Sequence, residues 1–320
     1  MTKRFLTAMT AVSVGLWGPA SLAASAETSP APATVVQADP ERSCAGEPAT
    51  LTWTPPAGVA DLTGYRIVHG LVTPTTPITQ VYDVGADETS LNFTIPFGFS
   101  TFLIYAITSA GVASAPFTSA ALMGNRAPFP MSWDTVGTNT VGDGTATVSY
   151  KWYGGVTTST TGGTLPVTVR ITASPGGASV DVPTGGSHSV TSTFSGLTNG
   201  VDYTFSAVTF NACGSSAPSV SPGFTPGLAP TWTRSTPPLD VGPGQYVYKF
   251  AAAGDPSPTY TLVGAPSWLE ISTNGLVTGR PPAGTSSFSY SVVAGNGVGI
   301  HPFDRTDIVA GPFTVSVRAK

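Results

Sequence analysis

Only 30 of the 320 residues, 9%, are charged, and the formal charge is −4; an ordinary soluble domain carries roughly a quarter charged residues. Glycine (37) and proline (30) together make up about a fifth of the chain, which excludes long helices. The four lysines leave too little positive charge to neutralise phosphates, which excludes a nucleic-acid-binding surface. Apolar residues reach 41%, enough for packed cores, and regularly spaced Val, Phe and Tyr argue against disorder.

The first 26 residues read as an export signal. Lys3 and Arg4 form a short basic region, Phe5 to Ala23 is apolar and small, and Ala24-Ser25-Ala26 has the small residues of a cleavage site. The Gly18-Pro19 pair argues against a permanent span, which needs about 20 apolar residues. Cleavage after Ala26 leaves 11 basic and 17 acidic side chains, a charge of −6. With no later apolar run of spanning length, the expectation is a secreted protein with no membrane span in the mature chain. Residues 27–32 read as a mobile leader.

The remainder falls into three stretches, 33–124, 129–226 and 229–320. Short alternating runs of Val, Ile, Thr, Phe and Tyr, punctuated by Gly-Gly, Pro-Gly and Asn-Gly pairs, predict antiparallel strands and an all-β chain. In the first stretch Leu51, Trp53, Tyr65, Ile67, Phe93, Ile95, Phe102, Ile104 and Ala106 form the inward set. In the second, Val148, Tyr150, Val167, Val169, Ile171, Leu197, Tyr203, Phe205 and Ala207 play that part. Proline clusters near Asn125–Pro130 and Pro226–Pro230 mark the boundaries.

The run Leu197-Thr198-Asn199-Gly200-Val201-Asp202-Tyr203-Thr204-Phe205 resembles the E–F corner of bacterial fibronectin type III domains. Ile171-Thr172-Ala173-Ser174-Pro175-Gly176-Gly177 and Gly214-Ser215-Ser216-Ala217-Pro218 resemble that family's C strand and F–G region. The resemblance implies that Tyr203 is the corner tyrosine, its hydroxyl bonded to nearby backbone. Residues 33–122 resemble the family more loosely, through Leu51-Thr52-Trp53-Thr54-Pro55-Pro56, Leu62-Thr63-Gly64-Tyr65 and Ala110-Gly111, with Phe102 where the corner tyrosine is expected. The third stretch, from Gly244-Gln245-Tyr246-Val247-Tyr248-Lys249-Phe250 to Gly275-Leu276-Val277-Thr278-Gly279-Arg280-Pro281, is similar to immunoglobulin-like repeats of secreted bacterial proteins, close to cadherin-like sandwiches. The chain thus reads as three tandem immunoglobulin-like or fibronectin type III-like β-sandwiches. Cadherin-like relatives hold calcium through clustered acidic groups. Here only Asp304 and Asp307 lie close together while Asp240, Asp255 and Glu270 are isolated, short of the six or more oxygens calcium takes. No cofactor or metal is expected.

Catalytic constellations do not stand out. His69, His188 and His301 are spread one per stretch and read as isolated surface histidines. No Gly-x-Ser-x-Gly elbow occurs between a strand and a helix, and two distant cysteines with three dispersed histidines lack zinc-ligand spacing. The expectation is a non-enzyme. Trp152 and Tyr153 end a strand before the loop Gly154–Gly163, where a solvent-facing pair could stack on a sugar ring; burial against the next domain is the other reading. Trp133 and Trp232, just after the proline junctions, read as plugs in the interdomain seams.

Two functions stay open. One is a secreted, non-catalytic scaffold or adhesion protein whose partner is an extracellular protein. The other is a carbohydrate-binding accessory protein that meets cell-wall polysaccharide, as the resemblance to modules accompanying polysaccharide-degrading enzymes implies. Under the fibronectin-like reading, the loop Arg42–Glu47 and the loop Asn211–Ser215 face the same seam. Cys44 and Cys213 are therefore expected to form a disulfide between the first two domains, leaving the third free to swing.

Overall fold

The computed structural model describes residues 34–37, 43–59, 61–72, 77–111, 115–153, 157 and 161–318; the export signal and leader lie outside them. The regular structure of the described chain is strand, apart from Thr161, and it forms tandem β-sandwiches.

In the first sandwich, strands Thr34–Gln37, Pro48–Thr52 and Ser90–Thr94 make one sheet. The other runs in the order Pro77–Gly85, Leu62–Val72, Gly98–Thr108, with Phe117–Thr118 and Leu122–Gly124 both on the last. Alternation decides which side chains are buried: Ile67 faces Ile104 and Tyr65 faces Ala106 across the pair, and all four lie inside with Leu51, Trp53 and Phe102. The second sandwich repeats this plan. Thr140–Gly142, Thr145–Lys151 and Ser189–Ser195 form one sheet, with Ser132–Trp133 added on Thr145–Lys151. Ser179–Pro183, Thr168–Ser174 and Thr204–Asn211 form the other, with Gly214–Ser215 and Ser219–Val220 pairing the last. In the third, the sheet Asp240–Val241, Ile308–Val317, Ser287–Gly295, Thr259–Val263 packs against Tyr246–Lys249, Leu276–Gly279, Leu269–Ile271 and the pair Leu228–Arg234 with Ala251–Asp255. Its centre is aromatic: Tyr246, Phe250 and Tyr290 are fully buried, and the Tyr246 and Tyr290 hydroxyls meet at 2.7 Å.

Two local devices recur in the first two sandwiches. The Phe102 N–H donates to Ser119 Oγ, and the Ser119 N–H returns to Phe102 O; Phe205 and Ser221 do the same. From the strand next to the edge, Arg66 forks onto Asp83 and Arg170 onto Asp181 of the edge strand, each pair directly cross-strand. These matches align Phe102 with Phe205, not with Tyr203. The Tyr203 hydroxyl accepts from the Thr198 N–H at 3.1 Å, the corner bond the resemblance implies. The matching position in the first sandwich is Ser100, which faces Leu122 as Tyr203 faces Phe224. The expectation placing Phe102 at that corner is corrected accordingly. A serine is too short to span the corner, and the buried Ser100 Oγ finds no partner among the described residues.

His69 is not a surface histidine. Tyr65, Ile67 and His69 continue one inward alternation, and the imidazole stacks on Phe102 at 4.2 Å between ring centres. Burial holds its pKa below the ordinary value, against the opposing effect of the Gln80 side chain. The unfolded chain then takes up a proton near pH 6.5 that the folded chain resists. Stability is unaffected by this group above that pH and falls as pH drops from about 6.5 toward the depressed folded value. We predict that the urea midpoint of the first sandwich decreases between pH 7.5 and 5.5, and that His69→Leu flattens that dependence. An equal slope in the variant would remove His69 as its source.

Candidate functional site

The first seam is built around Cys44 and Cys213, which form a disulfide with a Cα–Cα distance of 5.5 Å. Asn211, the last residue of strand Thr204–Asn211, fixes Cys213 in the turn that follows. Its Oδ1 accepts from the Cys213 N–H at 2.8 Å while its Nδ2 donates to Arg126 O at 2.7 Å. On the other side, Cys44 bridges the chain at Asn125: the Asn125 N–H donates to Ser43 O and the Ala45 N–H to Asn125 O, at 2.7 and 2.6 Å. The Asn125 side chain reaches across and accepts from the Thr164 N–H at 2.7 Å. Gly162 is needed here, since a Cβ in its left-handed conformation (φ 76°) would sit 2.1 Å from Arg126 O. The Arg126 guanidinium lies 4.0 Å from the Phe97 ring centre and 4.8 Å from that of Phe129, a cation held between aromatic rings of two sandwiches. Cross-linking residues 169 apart stabilises by about 5 kcal/mol in the chain-entropy account.

The second seam overturns the expectation of a free third domain. Gly299–His301 of the third sandwich pairs antiparallel with Gly223–Thr225, the last strand of the second, and Asp304–Arg305 extends the same small sheet. Ile300 enters the core of the second sandwich beside Phe224, 6% exposed. Asn199 ties the two units: its Nδ2 donates to Asp143 at 2.7 Å and to Asp255 at 2.6 Å, and its Oδ1 accepts from the Gly144 N–H at 2.8 Å. Gly227 closes the crossing, because a Cβ there would fall 2.2 Å from Asp255 O. A joint made of shared strands and shared core does not swing.

The residues read as ligand-stacking do not act as a pair. Trp152 is buried, its Nε1 donating to Phe129 O at 2.9 Å. It continues the inward series Val148, Tyr150, so the alternation itself was the signal. Tyr153 is 66% exposed; its hydroxyl donates to Trp133 O at 3.2 Å, and Lys151 Nζ sits 4.9 Å over its ring. Trp133 does plug a seam, but the second one, where its ring meets Phe303 of the third sandwich at 5.3 Å. Trp232 belongs to the third core, against Phe250 and Tyr260. Sequence reading missed Phe303, a residue at a hairpin tip that alternation does not reach.

Lys151 also pairs with Asp134 at 2.5 Å, in a largely buried contact. Burial alone would raise the Asp134 pKa; Lys151 and the N–H groups of Val136 and Gly137 outweigh it and hold the carboxyl below its usual range. Among the described residues no three His, Cys, Asp or Glu side chains gather as metal ligands would, and no helix is long and apolar enough to cross a membrane. Asp304 and Asp307, close in sequence, do not form such a group. His188 is exposed, and His301 Nε2 lies 3.1 Å from Thr225 Oγ1 in the second seam.

No protein-family model and no curated protein matches the chain. Solved structures similar to it include extracellular domains 3–5 of Drosophila OTK, at 16% identity and a TM-score of 0.37, covering 92% of this chain and 99% of that one. Another is the FN1–FN3 segment of chicken CNTN1, at 14% identity and a TM-score of 0.31, covering 88% and 99%. The fold rests on the strand order and register described above.

Because Ile300 fills the neighbouring core, Ile300→Ala should destabilise the second sandwich by about 2–5 kcal/mol, the usual cost of such a truncation. Hydrogen exchange should show lost protection along Thr204–Asn211. Loss confined to the third sandwich would contradict a shared core.

Proposed function

We propose that the protein is a secreted, non-catalytic scaffold or adhesion rod that holds a binding surface at a fixed orientation outside the cell. The observation that carries this reading is that both joints are immobilised, and by unlike chemistry. One is covalent and braced by Arg126 between Phe97 and Phe129; the other is a sheet shared between sandwiches. Chains whose domains need only be tethered are joined by flexible linkers, so two locked joints point to a role in which geometry matters. The disulfide supports an oxidising compartment, in keeping with the export signal read in the sequence. Three of the described pockets are open and lined mainly by Gly, Pro, Thr and Ser with isolated charges.

Small-angle scattering of the mature protein should fit one conformation, and Cys213→Ser should broaden the distance distribution through the first joint only. An ensemble of orientations in the intact protein would overturn the rod. Hydrolysis of a polysaccharide or peptide, abolished by one substitution, would overturn the non-catalytic reading.

A further inference from the structure

The sheet of the first sandwich that carries the Arg66–Asp83 fork turns an apolar face to solvent. Val81 stands directly across from Val68, and Val68 from Leu103, so three apolar side chains cross three strands in one row on the outer side. Val81 is 56% exposed, and Phe99, on the same side of the strand that holds Leu103, is 46% exposed. The second sandwich supplies the comparison. Matched on the fork and on the Phe102 and Phe205 devices, the same row there is Ser179, Thr172 and Ser206. A hydroxyl-bearing row is enough for this fold, so the apolar row answers to something outside the sandwich. Gly70, two residues beyond Val68, is a second departure. A Cβ there would meet nothing nearer than Thr101 Oγ1 at 3.7 Å, and its backbone is not left-handed. Neither sterics nor conformation requires this mid-strand glycine, and such a glycine weakens a strand while leaving room for the close approach of another molecule.

We propose that this face pairs with the same face of a second copy of the chain, the two sheets stacking about a twofold axis that runs along the Val81–Val68–Leu103 row. Such an axis sets the row on its own image and reverses the strands, so residues two steps to one side meet residues two steps to the other. The Arg66 fork of each copy then lies over the hollow at the other's Gly70, which Thr79 and Thr101 flank across the strands, and Phe99 lies over Ile107. Face-to-face sheets pack about 10 Å apart with their strands nearly aligned, as this axis places them. Charge selects the partner. Arg66 and Asp83 are the only Asp, Glu, Lys or Arg on the strands of this sheet, and they pair with each other. The face therefore presents no net charge to an ionic ligand, whereas its own image matches it. The area is sufficient. Leu62–Val72 has 11 residues, about 35 Å of strand, and three strands span about 15 Å, which gives roughly 500 Å² per copy and about 1,000 Å² in all. That reaches the lower bound for a specific interface and fits a reversible dimer rather than an obligate one, closed at two copies by the symmetry. The pairing goes beyond the rod reading, and the two fail separately: scattering at low concentration reads the joints, and concentration dependence reads the face.

Sedimentation velocity and light scattering of the mature, disulfide-bonded protein across a concentration series should show a reversible monomer–dimer equilibrium. The triple variant Val81→Ser, Val68→Thr, Leu103→Ser installs the residues that the second sandwich carries in the same register. It should weaken pairing by about tenfold or more. Gly70→Thr puts a strand-favouring side chain into the hollow that receives the partner's fork. It should abolish the dimer while the melting temperature holds or rises, so that unfolding does not account for the loss. Val263→Ser, on a similarly exposed position of the third sandwich, should pair as the parent does. A protein that stays monomeric at every concentration overturns the proposal and assigns the face to some other partner. A dimer that either the triple variant or Gly70→Thr leaves at full strength overturns it too, as does one that Val263→Ser dissolves.

Discussion

The strand that the third sandwich contributes to the second governs the shape of the molecule. Gly299–His301 closes hydrogen bonds that Gly223–Thr225 would otherwise expose as a bare edge, and Ile300 fills a position its host does not fill from its own sequence. Unpaired backbone at such an edge is costly when buried and hazardous when exposed. Each unit therefore depends on the other, and they fold as one body with a two-part core. The hairpin that delivers Ile300 inward leaves Phe303 exposed at its tip, against the Trp133 ring.

The first seam solves the same problem with other means. Neither sandwich lends a strand there; instead the linker around Asn125 is stitched to Ser43 and Ala45 on one side and to Thr164 and Asn211 on the other. With so few charged groups in the chain, surface ion pairs contribute little to stability. The exposed forks Arg66–Asp83 and Arg170–Asp181 are screened by solvent and add little; each ties an edge strand to its inner neighbour, pinning register and placing a carboxylate on the open edge.

Much of this was legible in the sequence, because alternation, turn residues and cysteine placement are local or nearly so. The inward sets of the first two sandwiches, the Tyr203 corner and the Cys44–Cys213 bridge follow from period-2 burial, from the corner resemblance and from where loops fall in a sandwich. The misreadings have one physical cause. His69 after Tyr65 and Ile67, and Trp152 after Val148 and Tyr150, each stand one further step along an inward series. Polar character or a nearby loop argued for exposure, and tertiary packing decided for burial. Ser100 was missed as the corner equivalent because a hydroxyl too short to reach leaves no sequence mark. The second seam was illegible for a different reason: which neighbour receives a short glycine-flanked hairpin depends on contacts some 75 residues apart, as between Phe224 and Ile300, and no local pattern encodes them.

The bridge has a mechanical consequence. A pull applied to the chain on either side of the crosslink passes from Cys44 directly to Cys213, so the 169-residue separation between them lies off the load path. Fully drawn out, that stretch would lengthen the molecule by about 550–600 Å at the extended rise per residue. While the sulfur–sulfur bond holds, none of that slack is released, and tension arrives instead at the last strands of the second sandwich and the sheet it shares with the third. Reduction of that one covalent bond puts both sandwich cores and the first seam back on the load path, so that their unfolding could then lengthen the chain.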